Sequence, residues 1–444
     1  MPWDSFEFGS EIVFWQCGLK HINLGELLSA KKFPQIISSE SAMLLTRHGR
    51  RQHGRNKQRA DSGFLNTILW TIVINLRSNV HVSLSRRSRA IDTLDEPAST
   101  GFPRGRRSMK RNKLTALILP AVAAFAFVSC NSDRSDSLHR VNRILMGTLV
   151  DVSVVGPSNT SKAAAEAILD EIKRVEDLTS FHKPSGLSAI NDAAGTQPIK
   201  ADRELLELIA KGLNKARDTG GAFDPTVGPL CRLWQFSAGE PRLPEAPEIA
   251  DALTRVAWDR AQIDLAADTV FLPQQGMAMD LGALGKGYAL DRANEVIKRL
   301  GVSAALVNLG GDILAVGERG PGRPWRVGIQ DPRDPRGLVA VAALKDAVIA
   351  TSGDYERCFF RDDKRYHHIL DPKTGYPAEK MQSVTIVAAN GVTAQPTATS
   401  VFVLGPAKGM KYVQSLAGVE ALLIDSEGRI SMTSGARSIF EMKR

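Results

Sequence analysis

Residues 280–312 read DLGALGKGYALDRANEVIKRLGVSAALVNLGGD, a helix pattern followed by a strand pattern. Apolar residues recur at helical spacing over residues 288–300, so we predict a helix there that begins after Lys286 and Gly287. The apolar run at residues 304–307 predicts a strand, and the Gly-Gly pair behind it predicts a turn. This stretch therefore combines a helix and a strand through short connections.

The same two patterns extend over the rest of the chain after residue 140. Helical spacing predicts two more helices, at residues 163–178 and 203–218. Apolar runs, several of them alternating with a period of two, predict strands at residues 148–155, 312–316, 325–329, 339–344, 347–350 and 384–388. Strands come in runs with helices grouped between them, without strict βαβ alternation, so we predict an α+β fold.

The composition indicates a globular protein of enzyme size. Of 444 residues, 43% are hydrophobic, 24% charged and 6% aromatic, which excludes a disordered chain, a collagen and a polytopic membrane protein. A formal charge of +9 would favour nucleic-acid binding if it lay on the folded domain. However, residues 1–113 carry a net charge of +10, and the remaining residues carry −1. Residues 46–59 could form a basic arm, although they contain no aromatic side chain for base stacking. We expect no nucleic-acid partner for the folded part.

Residues 109–129 have the layout of a secretory signal peptide. Met109 opens a basic segment, an apolar run follows over residues 114–128, and Ser129 precedes Cys130. This run is shorter than the ~20 residues that a membrane-spanning helix needs. Phe-Val-Ser-Cys resembles a bacterial lipobox, so we expect a lipid on Cys130; a plain cleaved signal peptide is the alternative.

These features divide the chain into four parts. We expect a spurious or processed extension, a lipoprotein-type signal peptide, a tether and the folded domain, at residues 1–108, 109–129, 130–140 and 141–444. Cys17 and Cys130 precede that domain. The remaining Cys231 and Cys358 are too few for a disulfide framework and lack the spacing of a zinc site.

Candidate chemistry lies in polar residues among glycines. No P-loop, HExxH, GxSxG or Rossmann motif occurs in a fitting context, which removes the main support for the common nucleotide-binding, metalloprotease and hydrolase functions. Three glycines and Lys286, just before the predicted helix, could cradle an anion; a tight turn with a solvated lysine is the alternative. Asn308-Leu-Gly-Gly-Asp312 could admit a flat ligand or form an ordinary hairpin turn.

Two adjacent histidines are candidates for proton transfer. Successive side chains of a strand point to opposite faces, so at most one of His367 and His368 faces a given site. Histidine can take a proton near neutral pH, and Asp371 could orient it or hold a metal; a structural histidine is the alternative. Residues 223–229 (FDPTVGP) predict a proline-fixed turn.

Six motifs, in this order along the chain, resemble the ApbE family. They are Met146-Gly-Thr, Ala222-Phe-Asp-Pro-Thr-Val-Gly-Pro-Leu, Asp280-Leu-Gly-Ala-Leu-Gly-Lys-Gly-Tyr, Asn308-Leu-Gly-Gly-Asp, Ser352-Gly-Asp-Tyr and His368-Ile-Leu-Asp-Pro-Lys-Thr-Gly-Tyr-Pro. The resemblance covers about residues 141–440. It implies a single two-lobed α+β domain that binds FAD in the cleft between its lobes, and it accounts for the signal peptide.

The resemblance also implies a reaction. ApbE proteins are periplasmic, often lipid-anchored transferases that pass the FMN half of FAD to a Thr or Ser hydroxyl of a partner protein and release AMP, with a divalent ion, usually Mg²⁺, on the pyrophosphate. We therefore expect a Mg²⁺-dependent FMN transferase, lipid-anchored to a bacterial membrane in the periplasm. Its partner would be the FMN-acceptor domain of an exported or membrane flavoprotein of the redox-complex type. The alternatives are FAD hydrolysis to FMN and AMP, and non-catalytic FAD storage.

Individual residues gain roles through the same resemblance. His368 matches the proposed general base. Phe181 stands where the family commonly has Tyr, which keeps ring stacking and loses a phenol hydrogen bond. The residues implied to contact FAD are Met146, Phe181, Ala222, Phe223, Asp224, Asp280, Lys286 and Leu370.

Three residues match the family's metal ligands: Ala283 through its carbonyl, Gln395 and Thr399. The family usually reads Ala-Asp-x-x-x-Thr where this chain reads Ala394-Gln-Pro-Thr-Ala-Thr399. An amide can offer a carbonyl oxygen but no charge. We therefore expect Gln395 to be a ligand in a site with lowered affinity for the metal. The alternative is that its side chain points away from the metal.

Overall fold

The computed structural model describes residues 137–237 and 241–443. Its strands are β1 (Ser137–Leu145), β2 (Thr148–Gly156), β3 (Ile199–Lys200), β4 (Gln262–Asp264), β5 (Thr269–Phe271), β6 (Ala304–Leu309), β7 (Asp312–Val316), β8 (Trp325–Gln330), β9 (Leu338–Leu344), β10 (Ala347–Gly353), β11 (Cys358–Arg361), β12 (Lys364–His367), β13 (Met381–Ala388), β14 (Glu420–Asp425), β15 (Ile430–Met432) and β16 (Phe440–Met442). Its α-helices are α1 (Ser158–Thr179), α2 (Gly186–Asp192), α3 (Arg203–Asp218), α4 (Gly228–Trp234), α5 (Ala246–Leu253), α6 (Gly282–Arg299), α7 (Gly391–Leu404) and α8 (Pro406–Gln414).

The large sheet explains why long apolar runs are present in the sequence. Its strand order is β1-β2-β6-β7-β10-β13-β14-β15, and every neighbouring pair is antiparallel. Helices α1, α6 and α7 cover one face, with Ile168, Val307 and Phe402 in the shared core. The small sheet β16-β9-β8 covers the other face through residues such as Val327 and Ile349. Strand β13 is buried along its whole length because both faces are covered.

A smaller helical lobe lies beside this sheet. Helices α2 and α3 pack with the sheet β3-β5-β4 around a core that includes Leu205, Ile209 and Val270. Helix α6 joins the lobes, since Leu284 in its first turn enters this core and Ala293 enters the core of the large sheet. The predicted α+β fold is confirmed.

The structure changes the start of one predicted helix. Helix α6 begins at Gly282, six residues before the predicted start at residue 288, so Lys286 lies inside it. The carboxylate of Asp280 accepts a hydrogen bond from the Gly282 N–H at 2.7 Å, and this contact supports a start in a glycine-rich segment. The helices and strands predicted at α1, α3, β2, β6–β10 and β13 are confirmed with small changes at their ends.

Helix α7, helix α8, strand β1 and several short elements were not predicted, among the last the hairpin β11–β12 that leads into His368. Asp362 and Asp363 both have positive φ, 49° and 57°, in its two-residue turn. Strand β1 begins at Ser137, so the tether expected at residues 130–140 overlaps it. The expected extension, signal peptide and Cys130 lie outside the described residues. Within those residues, no helix is long and apolar enough to span a membrane.

Candidate active site

Close packing of α6 on α7 brings two of the three candidate metal positions into contact. A Cβ on Gly287 would stand 2.2 Å from the carbonyl oxygen of Gly391, so only glycine fits at this crossing. Gln395, one turn along α7, reaches the first turns of α6 with both ends of its amide: Nε2 donates to the Gly282 carbonyl at 3.0 Å, and Oε1 accepts from the Gly287 N–H at 2.8 Å. Ala283 lies between these two contacts in the sequence. If the Gln395 amide were flipped, its oxygen would face the Gly282 carbonyl and its NH2 group would face the Gly287 N–H. The two hydrogen bonds therefore fix the orientation of the amide.

Thr399 follows Gln395 by one turn of α7 and faces strand β10. Its hydroxyl lies 3.4 Å from the Ser352 hydroxyl and is half-buried. Ser352 belongs to the Ser-Gly-Asp-Tyr motif, so this contact links that motif to α7. Gln395 contacts the first turns of α6, where Ala283 lies, and Thr399 follows Gln395 on α7 and contacts β10; a shared ligand shell of the three stays a prediction.

The chemistry of these donors decides how well a divalent ion fits. The Ala283 carbonyl and the Thr399 hydroxyl are hard oxygens of the kind that Mg²⁺ prefers. The Gln395 carbonyl oxygen is neutral and already accepts the Gly287 N–H. The described residues contain no group of three or more His, Cys, Asp or Glu side chains that could hold a metal. A divalent ion here would need the phosphates of a ligand as its anionic partners.

The expected anion cradle is largely occupied by internal hydrogen bonds. The Gly282 N–H donates to Asp280, the Gly285 N–H to the Leu281 carbonyl, and the Gly287 N–H to Gln395. Backbone donors that are already paired offer little to a ligand. The positive end of the helix and the ammonium of Lys286 are the parts of the cradle that remain.

Lys286 acts on two carboxyl groups to which the motifs gave no role, the buried Asp312 and the half-buried Glu356. Burial raises the pKa of Asp312, the last residue of the Asn-Leu-Gly-Gly-Asp motif, to about 6, although the Lys286 charge opposes the shift. Burial also raises the pKa of Glu356 to about 8, with Lys286 and Arg357 opposing and Asp312 adding to it. Burial thus disfavours the charged form of both carboxyl groups, and more strongly that of Glu356.

The two histidines have different environments. His367 is the last residue of β12 and His368 lies beyond it, so the alternation expected within a strand does not describe this pair. His367 is buried, its Nε2 pairs with the Ala378 carbonyl at 2.9 Å, and its Nδ1 accepts from the Ile369 N–H at 3.3 Å. His368 is half-buried, and its Nδ1 is buried without a hydrogen-bond partner among the described residues. Burial, together with the charges of Arg357 and Lys286, lowers the pKa of His368 well below its usual value. His367 is thus a structural residue, and His368 is neutral with one unpaired ring nitrogen.

Residues implied to bind the flavin come from both lobes. Met146 adopts a positive φ of 51° in the β1–β2 turn, and its Cε lies 3.5 Å from the position that a Cβ on Gly285 of α6 would take. Phe181 follows α1, and the Arg232 guanidinium lies 5.2 Å from its ring centre. Phe181 therefore retains an aromatic ring, with a cation–π contact, at the position where the family commonly has Tyr.

The Ala222-Phe-Asp segment is a turn held from within. Asp224 Oδ1 accepts from both the N–H and the hydroxyl of Thr226 at 2.7 Å, which confirms the predicted turn. Burial raises the pKa of Asp224. The Asp280 N–H donates to the Pro225 carbonyl at 2.8 Å, so this turn lies against the start of α6. Ala222 and Phe223 are buried.

The side chain of Leu370 packs in a separate apolar cluster. It is buried there with Leu230 and Trp234 of α4. Its contact with FAD stays a prediction. Glu356 and Arg357 were not among the predicted site residues, although both directly follow the Ser-Gly-Asp-Tyr motif, which was the signal that could have indicated them.

Comparisons with known proteins indicate the family of this chain. The model of the ApbE family matches residues 146–423. A protein of Treponema pallidum named FAD:protein FMN transferase is 36% identical over 310 residues, which cover 66% of this chain and 86% of the relative. A Klebsiella pneumoniae protein of the same name is 33% identical over 311 residues, covering 68% of this chain and 94% of that protein.

Solved structures show the same relationship in three dimensions. A crystal structure of the ApbE protein from Thermotoga maritima superimposes with a TM-score of 0.64 at 34% identity and covers 68% of this chain and 99% of its own. The flavin transferase ApbE from Vibrio cholerae gives a TM-score of 0.62 at 26% identity, with 68% and 99% coverage. The motifs, the two-lobed fold and these relatives together show that the chain belongs to the ApbE family.

Proposed function

We propose that this chain is an FAD:protein FMN transferase that moves FMN from FAD to a Thr or Ser hydroxyl of an exported flavoprotein and releases AMP. Curated relatives of that name match it over most of their own length, and this observation carries the proposal. His368 supports it, because burial and the nearby cations keep its imidazole in the neutral form, which can accept the proton of a hydroxyl.

The bond changes assign work to individual side chains. A P–O bond forms between the acceptor hydroxyl and the FMN phosphorus, and the bridging P–O bond to AMP breaks. The hydroxyl proton passes to His368, and AMP leaves as an anion. Lys286 would balance negative charge on the pyrophosphate, which is where phosphoryl transfer needs it. Met146 and Phe181 would hold the flavin ring by apolar and aromatic contact.

A divalent ion, in the family usually Mg²⁺, would be held by the Ala283 carbonyl and the Thr399 hydroxyl. Gln395 would join them only by sharing the oxygen that accepts from the Gly287 N–H. Such an ion would supply charge neutralisation on the pyrophosphate oxygens. Since these three donors are neutral, we expect metal and FAD to bind together rather than separately.

Mass spectrometry of an FMN-acceptor domain tests the proposal. The domain is incubated with this protein, FAD and Mg²⁺, and a mass gain equal to one FMN with release of AMP is expected. A control acceptor carries Ala at the modified Thr or Ser. Free FMN plus AMP without modified acceptor would indicate hydrolysis instead, and unchanged FAD would indicate a flavin-storage protein.

We also propose that the protein works in the periplasm on a lipid anchor at Cys130. This proposal is supported by the pattern of basic, apolar and small residues at 109–130. Those residues lie outside the described part of the chain.

A further inference from the structure

Arg357 is a half-buried cation that has no carboxylate partner among the residues that the structure describes. Its Nη1 donates to the Ser237 hydroxyl at 2.9 Å, and no Asp or Glu oxygen of the described chain lies within ion-pair distance. Two other arginines near the same strands differ: Arg333 forms a two-pronged pair with Asp354, and Arg365 lies 3.8 Å from that carboxylate.

The neighbouring Glu356 is a weak counter-charge for Arg357. Burial raises the pKa of Glu356 to about 8, which disfavours its charged form, although Lys286 and Arg357 both oppose the shift. Arg357 is half-buried, and its contact with Ser237 is exposed, so the guanidinium is accessible from outside the chain. An accessible guanidinium without an ion-pair partner in the described chain can bind an external anion.

The position of Arg357 indicates which anion that would be. Its Nη2 lies 3.9 Å from the place of a Cβ on Gly147, directly after Met146, and its carbonyl accepts from the His368 N–H at 3.0 Å. Arg357 therefore lies between the turn assigned to the flavin and the assigned base. Lys286 acts on His368 as well, because both cations lower the pKa of that imidazole.

We propose that Arg357 is a catalytic residue that binds the phosphate of the FMN half of FAD and stabilises the charge on its non-bridging oxygens during transfer. This inference rests on the proposed function. The planar guanidinium can donate two parallel hydrogen bonds to one phosphate, which the ammonium of Lys286 cannot do. Arg357 and Lys286 then hold the two sides of the pyrophosphate, with His368 beside the phosphorus that the hydroxyl attacks.

Flavin binding by Arg357→Gln gives the first test, with Arg357→Lys as the conservative variant. FAD and riboflavin differ in that riboflavin has no phosphate. We expect Arg357→Gln to weaken FAD binding about tenfold and leave riboflavin binding within twofold, and Arg357→Lys to recover part of the FAD affinity. Arg361→Gln is the matched control, because Arg361 is exposed on the same hairpin. Equal losses for FAD and riboflavin, or no loss for either, would overturn the proposal.

Transfer kinetics give the second test. Loss of one donor to the developing charge should lower kcat for transfer about 100-fold in Arg357→Gln. The acid limb of kcat/KM should also move to higher pH, since removal of a positive charge raises the pKa of His368, which Lys286, His367 and Arg357 all lower. A merely structural defect would reduce the rate without moving that limb. The flavin comparison needs no acceptor, so it tests Arg357 even if the wild-type protein transfers no FMN.

Discussion

His367 and His368 show how burial divides two adjacent residues of the same type. His367 has both ring nitrogens paired within the fold, and burial lowers its pKa to about 4. His368 keeps a buried Nδ1 without a partner, beside two cations. Both imidazoles are neutral at pH 7, but His367 has both ring nitrogens paired within the fold, whereas His368 has one that is unpaired.

We expect His368→Ala to lower the FMN transfer rate by about 100- to 10,000-fold and to leave FAD bound, because a general base acts only when the hydroxyl attacks. Rate and FAD affinity are measured on the same protein. The wild-type kcat/KM should keep its full value to well below pH 6.5, since the active form is the neutral imidazole and its pKa is lowered. His367→Ala serves as the comparison and should mainly reduce thermal stability. Undiminished transfer by His368→Ala would assign the proton to another group.

Helices α6 and α7 are fastened to each other by backbone-directed contacts. Gln395 bonds to Gly282 and Gly287 of α6, and the Asp291 carboxylate of α6 accepts from the N–H groups of Gly391 and Val392 at the start of α7. Asp291 thereby satisfies two of the unpaired N–H groups at the start of α7, and Gln395 binds backbone groups in the first two turns of α6. The orientation of the first turn of α6, with Ala283 and Lys286, depends on this exchange.

Gln395→Asp tests that role. The shorter side chain has no N–H donor and cannot span Gly282 and Gly287, so we expect the free energy of unfolding to fall by about 1–3 kcal/mol in metal-free protein. Denaturant unfolding measures the loss. Thr399→Val, also at a candidate metal position, should lose less, because its hydroxyl contacts are long, at 3.4 and 3.5 Å. A Gln395→Asp protein as stable as wild type without metal, and more stable than wild type with Mg²⁺, would instead place this side chain in the metal shell.

Neither lobe of the molecule alone contains all the residues of the candidate site. Met146, His368 and Thr399 belong to the part built on the large sheet, whereas Phe223 and Asp224 belong to the helical lobe. Helix α6 has residues in both cores, so the candidate site forms only when both lobes are folded.

Membrane attachment is a property of the whole chain that can be tested separately from catalysis. We expect Cys130→Ser to move the protein from the membrane fraction to the soluble periplasmic fraction, because the acyl chains on that cysteine would supply the membrane affinity. Fractionation followed by mass spectrometry of the mature N-terminus measures this. Transfer to a soluble acceptor domain should be unchanged. Detection of intact residues 1–108 on mature wild-type protein would contradict the anchor.

Local patterns were sufficient for α1, α3 and most strands of the large sheet. Helical and strand periodicity depend on which residues are apolar, and a helix such as α3 needs no distant partner for its bounds, since Asp202 caps it at Glu204. The order of six motifs was also enough to identify the family. These features are properties of consecutive residues, and the sequence contains them in full.

Features that depend on distant residues could be decided only by the folded chain. Helix α6 starts at Gly282 with support from Gln395, 113 residues away, which no local pattern contains. The raised pKa of Glu356 and the unpartnered Nδ1 of His368 arise from burial, and the lack of an ion-pair partner for Arg357 in the described chain arises from where the fold places it. The sequence alone therefore determined the family and the main elements, whereas tertiary packing decided the charges and free hydrogen-bonding groups of the site, because desolvation and pairing depend on neighbours in space.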